Sequence, residues 1–227
     1  MKAKSKIILM RHGQSEWNKK NIFTGWVDIP LSAQGIQDAL EVGKKLADWP
    51  IDVIFVSSLV RSHMTALLAM SQHQGNKVPV FIHEEGTSLQ KWSMIHDPIT
   101  QGNMIPIYAS TALNERMYGQ LQGLSKDETI EKFGADQVKL WRRSYDVMPP
   151  EGESLSMTAA RAIPYFNESI LPFSREGKNV FVCAHGNSLR AIVMHLLGLS
   201  KQEVLDFEIA PSELIILSEN NGVWIKE

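Results

Sequence analysis

The chain has 227 residues, 44% of them hydrophobic and 21% charged, a composition that belongs to a folded globular protein and excludes a disordered or fibrous one. A formal net charge of -2 excludes a surface built to neutralise the phosphates of a nucleic acid, yet leaves room for a few arginines clustered around a small anion. One cysteine, Cys183, can form no internal disulfide and offers no zinc-type spacing, so a reducing compartment, the cytoplasm, is expected.

The first ten residues, MKAKSKIILM, are lysine-rich and then apolar, but the apolar part stops at Arg11. It is too short for a signal peptide, and no uninterrupted apolar segment approaches the roughly 18 residues a membrane span needs, so no membrane partner is expected. Lys6 to Met10 reads as a short buried strand running into the polar stretch Arg11 to Gly13. Ser32 then caps a helix whose apolar or small positions Ile36, Ala39, Leu40, Gly43, Leu46 and Ala47 recur at helical spacing until Pro50.

Val53 to Val56 reads as a second strand, followed by a helix through Met70 and a third strand over Val78 to Ile82. The βαβαβ order predicts an α/β fold, a three-layer sandwich with a mostly parallel central sheet and helices on both faces. An irregular excursion follows around residues 84–110, without clean periodicity. Ser125 with Glu128 fits a capping box for one helix, and Asp136 to Tyr145 form another carrying Trp141, Arg142 and Arg143. A helical pattern from Ser154 is interrupted at Pro164, and the strand Asn179 to Ala184 runs into His185, Gly186, Asn187 and a helix from Ser188. Ser200 with Glu203 caps one more helix before a closing pair of strands around Asn220 to Gly222. No repeat, low-complexity tract or linker divides the chain, so residues 1–227 are read as one domain.

Two histidines, His12 and His185, each stand just past an apolar strand and just before a glycine. Ligands of open α/β sheets collect at the carboxyl ends of strands, so both histidines are expected to face one pocket. Singly, each pattern is ordinary; a lone histidine after a strand is more often packed or solvated than catalytic. Repeated in one chain, with Arg11 beside His12, Arg61 opening the helix after the second strand, and a helix N-terminus after Gly186, the pattern points to phosphate. A neutral imidazole attacks phosphorus through one ring nitrogen when its other N–H is held, while guanidinium groups offset the charge on the equatorial oxygens. Metal chemistry is the rival for a histidine site, but the seven histidines include no HxH or HxxxH pair and no cysteine cluster, so no metal is expected. His63, His73, His83, His96 and His195 read as solvated or packing residues, and Cys183 as core.

The segments LMRHGQSEWN, FTGWVDIPLS, LNERMYGQLQGLSK, VKLWRRSY and AHGNSLR together resemble the cofactor-dependent phosphoglycerate mutases of the histidine phosphatase superfamily. RHG and the later histidine mark the superfamily; the TGW, NERxYG and WRR blocks mark the mutase branch. The resemblance implies that His12 is the phosphorylated nucleophile, that Glu115 donates and accepts the proton, and that Arg11, Arg61 and His185 surround the transferred group. It assigns substrate contacts to Gly13, Gln14, Ser15, Glu16, Trp17, Asn18, Thr24, Gly25, Arg116, Met117, Tyr118, Lys126, Arg142, Arg143, Gly186 and Asn187. It also implies interconversion of 3-phosphoglycerate and 2-phosphoglycerate, a step of glycolysis and gluconeogenesis, with 2,3-bisphosphoglycerate as priming donor and intermediate; a homo-oligomer is compatible with it. The alternatives are a phosphate-monoester phosphatase using the same histidine, and a binding protein on a retired enzyme scaffold.

The chain departs from the family pattern at MPPEGESL, where many relatives carry a longer insertion, at Met117, where histidine is common, and after Trp224, where relatives often continue into a tail. The stretch before NERMYG is extended. Residues Glu84 to Ser110 are accordingly expected to supply part of the cover over His12.

Overall fold

The computed structural model describes residues 5–227; the start of the lysine-rich leader-like run, residues 1–4, lies outside them. In chain order the elements are β1 (Lys6–Arg11), α1 (Glu16–Lys19), α2 (Ala33–Lys45), β2 (Val53–Ser57), α3 (Val60–Met70), β3 (Val78–Phe81), α4 (Ser88–Trp92), α5 (Pro98–Gly102) and β4 (Met104–Ser110). The second half continues with α6 (Lys126–Phe133), α7 (Ala135–Arg143), α8 (Leu155–Tyr165), α9 (Leu171–Arg175), β5 (Val180–Ala184), α10 (Gly186–Leu197), α11 (Lys201–Asp206), β6 (Leu214–Asn220) and β7 (Val223–Lys226).

The strands form one seven-stranded sheet in the order β3-β4-β2-β5-β1-β6-β7. All neighbours are parallel except β1 with β6 and β6 with β7, the closing antiparallel pair. Side chains alternate across a strand, and here both sets are apolar. Ile7, Leu9, Val53, Phe55, Val180 and Val182 pack with residues of α8, α9 and α10 on one face. Ile8, Met10, Ile54, Val56, Phe181 and Cys183 pack with Val42 of α2 and Ala66, Ala69 and Met70 of α3 on the other. These two cores make the three layers. Truncating a side chain such as Ile8, which is fully buried, costs about 2–5 kcal/mol by the usual cavity penalty.

Local sequence explains most element ends. The Ser32 side chain accepts from the Gly35 N–H at the start of α2, and Ser200 and Glu203 form a reciprocal box at α11. Several ends differ from expectation. Helix α2 stops at Lys45, several residues before Pro50. Pro164 lies in the last turn of α8 without ending it, because the chain continues as a π-helical stretch, Phe166–Ile170, into α9. The helix after His185 begins at Gly186 rather than Ser188.

The larger correction concerns residues 84–110. They hold two short helices, α4 and α5, and end in β4, which inserts between β3 and β2 inside the sheet. Pro106 disguised this strand, since proline is rare in sheet interiors. It pairs with Val80 of β3, while the ladder to β2 begins one residue later, at Ile107.

Adjacent strands β1 and β5 send their following helices to opposite faces, α2 to one and α10 to the other. The chain therefore parts at their carboxyl ends. That is where a crevice forms in an open α/β sheet.

Candidate active site

The register of β1 and β5 pairs Met10 with Cys183 and Arg11 with Ala184, so the next step brings His12 beside His185. Their ring centroids are 4.8 Å apart, one interstrand spacing, and the His12 N–H still bonds the Ala184 carbonyl at 2.9 Å. The two histidines, 173 positions apart in sequence, are thus neighbours because two apolar strands end in register.

The His12 Nδ1 lies 2.6 Å from the carbonyl of Gly13. A carbonyl only accepts, so Nδ1 carries the proton and Nε2 keeps its lone pair. The His185 Nε2 bonds the Ser57 hydroxyl at 2.7 Å, at the end of β2. Both rings are held well below the usual imidazole range, first by burial and then by the positive field of Arg61, so both are neutral near pH 7. Gly13 is pressed against the start of α2: a Cβ there would stand 2.6 Å from the Gly35 carbonyl oxygen, and one on Gly35 only 2.1 Å from that of Gln14.

Arg61 is almost wholly buried on α3 and donates to the carbonyls of Gly25 and Val27, holding the TGW loop against the pocket wall. Burial lowers its pKa to about 10, which keeps it cationic at neutral pH. Arg11 donates to Ile209 O at 2.6 Å, and its Nε has no protein partner. Glu115 is buried, not the surface partner of Arg116. Its Oε1 accepts from the Arg116 backbone N–H and the Asn187 amide, both at 2.7 Å, and from the Asn187 N–H at 3.3 Å, which leaves Oε2 for the cleft.

These groups line a cleft of about 200 Å³, the scale of a small molecule rather than a polymer. Six cationic side chains, Arg11, Arg61, Lys126, Arg142, Arg143 and Arg190, face it against two carboxylates, Glu115 and Glu208. On a chain of net charge -2 this is a strong local concentration of positive charge. It shows in the neighbours: Lys126 is shifted down by burial and by Arg142, while the buried Tyr118 phenol, which burial alone would raise, is lowered by Arg116 and Arg142.

Of the residues expected from sequence, Arg11, His12, Asn18, Thr24, Gly25, Arg61, Glu115, Tyr118, Lys126, Arg142, Arg143, Gly186 and Asn187 line this cleft, with His185 against His12. Seven others do not line it. Gly13 donates to Thr65, Gln14 bonds Ser32, and Ser15 caps α1 with Asn18, which leaves Glu16 and Trp17 on that short helix. The Arg116 side chain reaches Tyr118 and the Arg142 carbonyl, and the Met117 N–H bonds Glu153. They hold the walls in place. Residues 84–110 contribute nothing to the lining either, so the expected cover from that segment is overturned. β4 and β3 lie at the far side of the sheet, three and four strands from β1 respectively, or roughly 15–20 Å at the usual interstrand spacing.

Sequence reasoning missed Ile22, Phe23, Arg190, Glu208 and Ile209 in the lining. Arg190 had a signal: it stands one helical turn beyond Gly186, on the same face of α10. Glu208, which pairs with Arg143, follows the last helix and had none. Among the described residues no group of three or more His, Cys, Asp or Glu side chains is placed to hold a metal ion, and no helix is long and apolar enough to cross a membrane.

Comparison with known proteins agrees with this geometry. The model of the histidine phosphatase superfamily (branch 1) matches residues 7–86 and 94–227. A 2,3-bisphosphoglycerate-dependent phosphoglycerate mutase of Protochlamydia amoebophila is 54% identical over 222 residues, 98% of each chain. One of Chlamydia muridarum is 55% identical over 210 residues, 92% of each. Among solved structures, the alpha-ribazole phosphatase of Shigella flexneri superposes with a TM-score of 0.75 over 98% of this chain and 94% of its own, at 18% identity, a likeness of fold alone. With its two strand-end histidines, its buried glutamate and its ring of cations, the chain belongs to the 2,3-bisphosphoglycerate-dependent phosphoglycerate mutase family of the histidine phosphatase superfamily.

Proposed function

We propose that this protein interconverts 3-phosphoglycerate and 2-phosphoglycerate through phosphorylated His12. The observation that carries the reading is the meeting, in one cleft, of a neutral His12 with its Nε2 lone pair available, a Glu115 carboxyl with Oε2 available, and cations enough for more than one anionic group. Bound 2,3-bisphosphoglycerate supplies the priming phosphoryl group. The donors at hand fit it: Arg11 Nε and His185 Nδ1, both buried without a protein partner, stand beside His12, while Lys126, Arg142 and Arg143 face the cleft for a second phosphate or a carboxylate.

His12 Nε2 attacks phosphorus; the N–P bond forms as the P–O bond to the departing glycerate oxygen breaks, and Glu115 gives that oxygen its proton. In the return step Glu115 takes the proton from the attacking hydroxyl as the N–P bond breaks. Such proton transfer is worth about 10²–10⁴-fold. Arg11 and Arg61 offset the charge on the equatorial oxygens throughout. No step calls on a metal, so activity is expected to survive a chelator, and the cytoplasm is the compartment in which its substrates and the free thiol of Cys183 are compatible.

The test is a coupled assay of 3-phosphoglycerate conversion with and without 2,3-bisphosphoglycerate, on the parent protein and on His12→Ala, with released phosphate followed in parallel. Bisphosphate-stimulated isomerisation that disappears in the variant is the expected result. Phosphate release dependent on His12 without isomerisation would assign the protein to the phosphatases instead.

A further inference from the structure

Glu115 stands on no helix or strand but between two 3-10 turns, Thr111–Leu113 and Gly119–Leu121, so the position of its carboxyl depends on side chains that grip this loop. One residue does most of the gripping. The Arg161 guanidinium, on α8, donates through Nη1 to the carbonyls of Ala112 and Asn114 at 2.9 Å and of Thr111 at 3.3 Å, and through Nη2 to that of Glu115 at 2.9 Å. Its Nε and Nη2 also form a bidentate pair with Glu153, at 2.9 and 2.8 Å. Glu153 in turn accepts the Met117 N–H at 3.0 Å, so the pair holds the loop on both sides of Glu115. The other face of the guanidinium lies over the Trp26 ring, 5.4 Å from its centroid, and the Trp26 indole N–H donates to the same Glu115 carbonyl at 2.6 Å.

We propose that Arg161, clamped by Glu153 and Trp26, is a positioning residue that fixes the Glu115 carboxyl for proton transfer; this rests on the reading of Glu115 as the proton donor. Only a planar, five-donor group can serve four loop carbonyls and a carboxylate at once, and a lysine ammonium in its place offers three donors at one point. Burial pushes the Glu153 carboxyl up, but the bonds from Arg161 and Met117 outweigh it and hold the group below the usual carboxylate range, so the pair stays ionic. The clamp also ties the Glu115 loop to the TGW loop, whose Gly25 carbonyl is held by Arg61. Proton donor and phosphoryl site are thereby set in one frame.

A proton donor matters for a departing alkoxide and hardly at all for a departing nitrophenolate. The experiment measures single-turnover phosphorylation of His12 from 2,3-bisphosphoglycerate and from 4-nitrophenyl phosphate in the parent, Glu115→Gln, Arg161→Lys and the double variant. Arg161→Lys is expected to slow transfer from the bisphosphate about 10- to 30-fold and from the aryl phosphate less than about 3-fold, and to add little in the Glu115→Gln background. Equal losses on both donors, or full additivity, would show a merely structural role and overturn the proposal. If Glu115→Gln itself fails to discriminate between the donors, the reading of Glu115 falls and the proposal with it. Should Arg161→Lys not fold, Trp26→Phe, which keeps the ring and removes the N–H to Glu115 O, carries the same test with an expected loss of about 3- to 10-fold confined to the bisphosphate.

Discussion

The two junctions at the ends of β1 and β5 are written almost alike, an apolar strand, a histidine and a glycine, and the structure uses them differently. After Gly13 the chain turns through a loop and the four-residue α1, whereas Gly186 opens the twelve-residue α10 at once. The His12 ring is steadied by the carbonyl of its own neighbour, which leaves Nε2 available; the His185 Nε2 is taken by Ser57 from another strand. The difference teaches that a motif letter names a side chain and its location, while the hydrogen bond on the far side of the ring decides whether it attacks or assists.

The sharpest way to break this comparison is to exchange the roles. His12→Ala is expected to abolish the phosphoenzyme and lower turnover by roughly 10⁴-fold or more, whereas His185→Ala, which loses only a stabilising neighbour, lowers it about 10²–10³-fold with His12 still phosphorylated slowly. Intact-mass and peptide analysis after mixing with 2,3-bisphosphoglycerate reads this directly; phosphate found on His185 in the parent would invert the assignment. Ser57→Ala, which frees His185 Nε2, is expected to cost about tenfold in kcat, in line with one buried hydrogen bond, and Ser57→Thr to restore most of it.

The two rings also agree in one respect, their depressed pKa, and that agreement is testable as stability. An unfolded histidine protonates near 6.5, while the folded ones remain neutral below that, so between the two values the unfolded chain binds more protons and stability falls as pH falls. Urea midpoints measured between neutral and mildly acid pH are expected to drop less in a His12→Gln/His185→Gln variant; an identical pH slope would contradict the neutral pair. The smallest effect concerns Met10 and Cys183, register partners two residues before the histidines. Burial pushes the Cys183 thiol up to about 12, so iodoacetamide at mildly alkaline pH is expected to leave the folded protein unmodified and to react only after denaturant is added.

Both junctions were legible in the sequence because everything they need is local: four or five apolar residues, then polar ones, then glycine. The closing pair around Asn220 to Gly222 and the Ser32 cap were legible for the same reason. β4 was not, since Pro106 masks a strand whose pairing on that side starts one residue later. Glu115, Arg142 and Arg143 reached the candidate list only through family resemblance. Their place in the cleft is set by contacts between distant segments, such as Asn187 with Glu115 and Arg116 with the Arg142 carbonyl, which no periodicity announces. Arg116 and Met117, adjacent letters of the same motif, brace the loop that Glu115 occupies, Arg116 through Tyr118 and the Arg142 carbonyl and Met117 through Glu153.

The contact between Gly13 and Gly35 restricts how this site can change. Neither position has room for even a methyl group, because each faces backbone, Gly13 that of α2 at Gly35 and Gly35 that of the loop at Gln14, and no rotamer can relieve the clash. The nucleophile's side of the cleft is therefore closed to gradual redesign. New substrate preferences have to be sought across the cleft, on the loop after β4 and on α7, where Tyr118, Arg142 and Arg143 stand on side chains that can be exchanged one at a time.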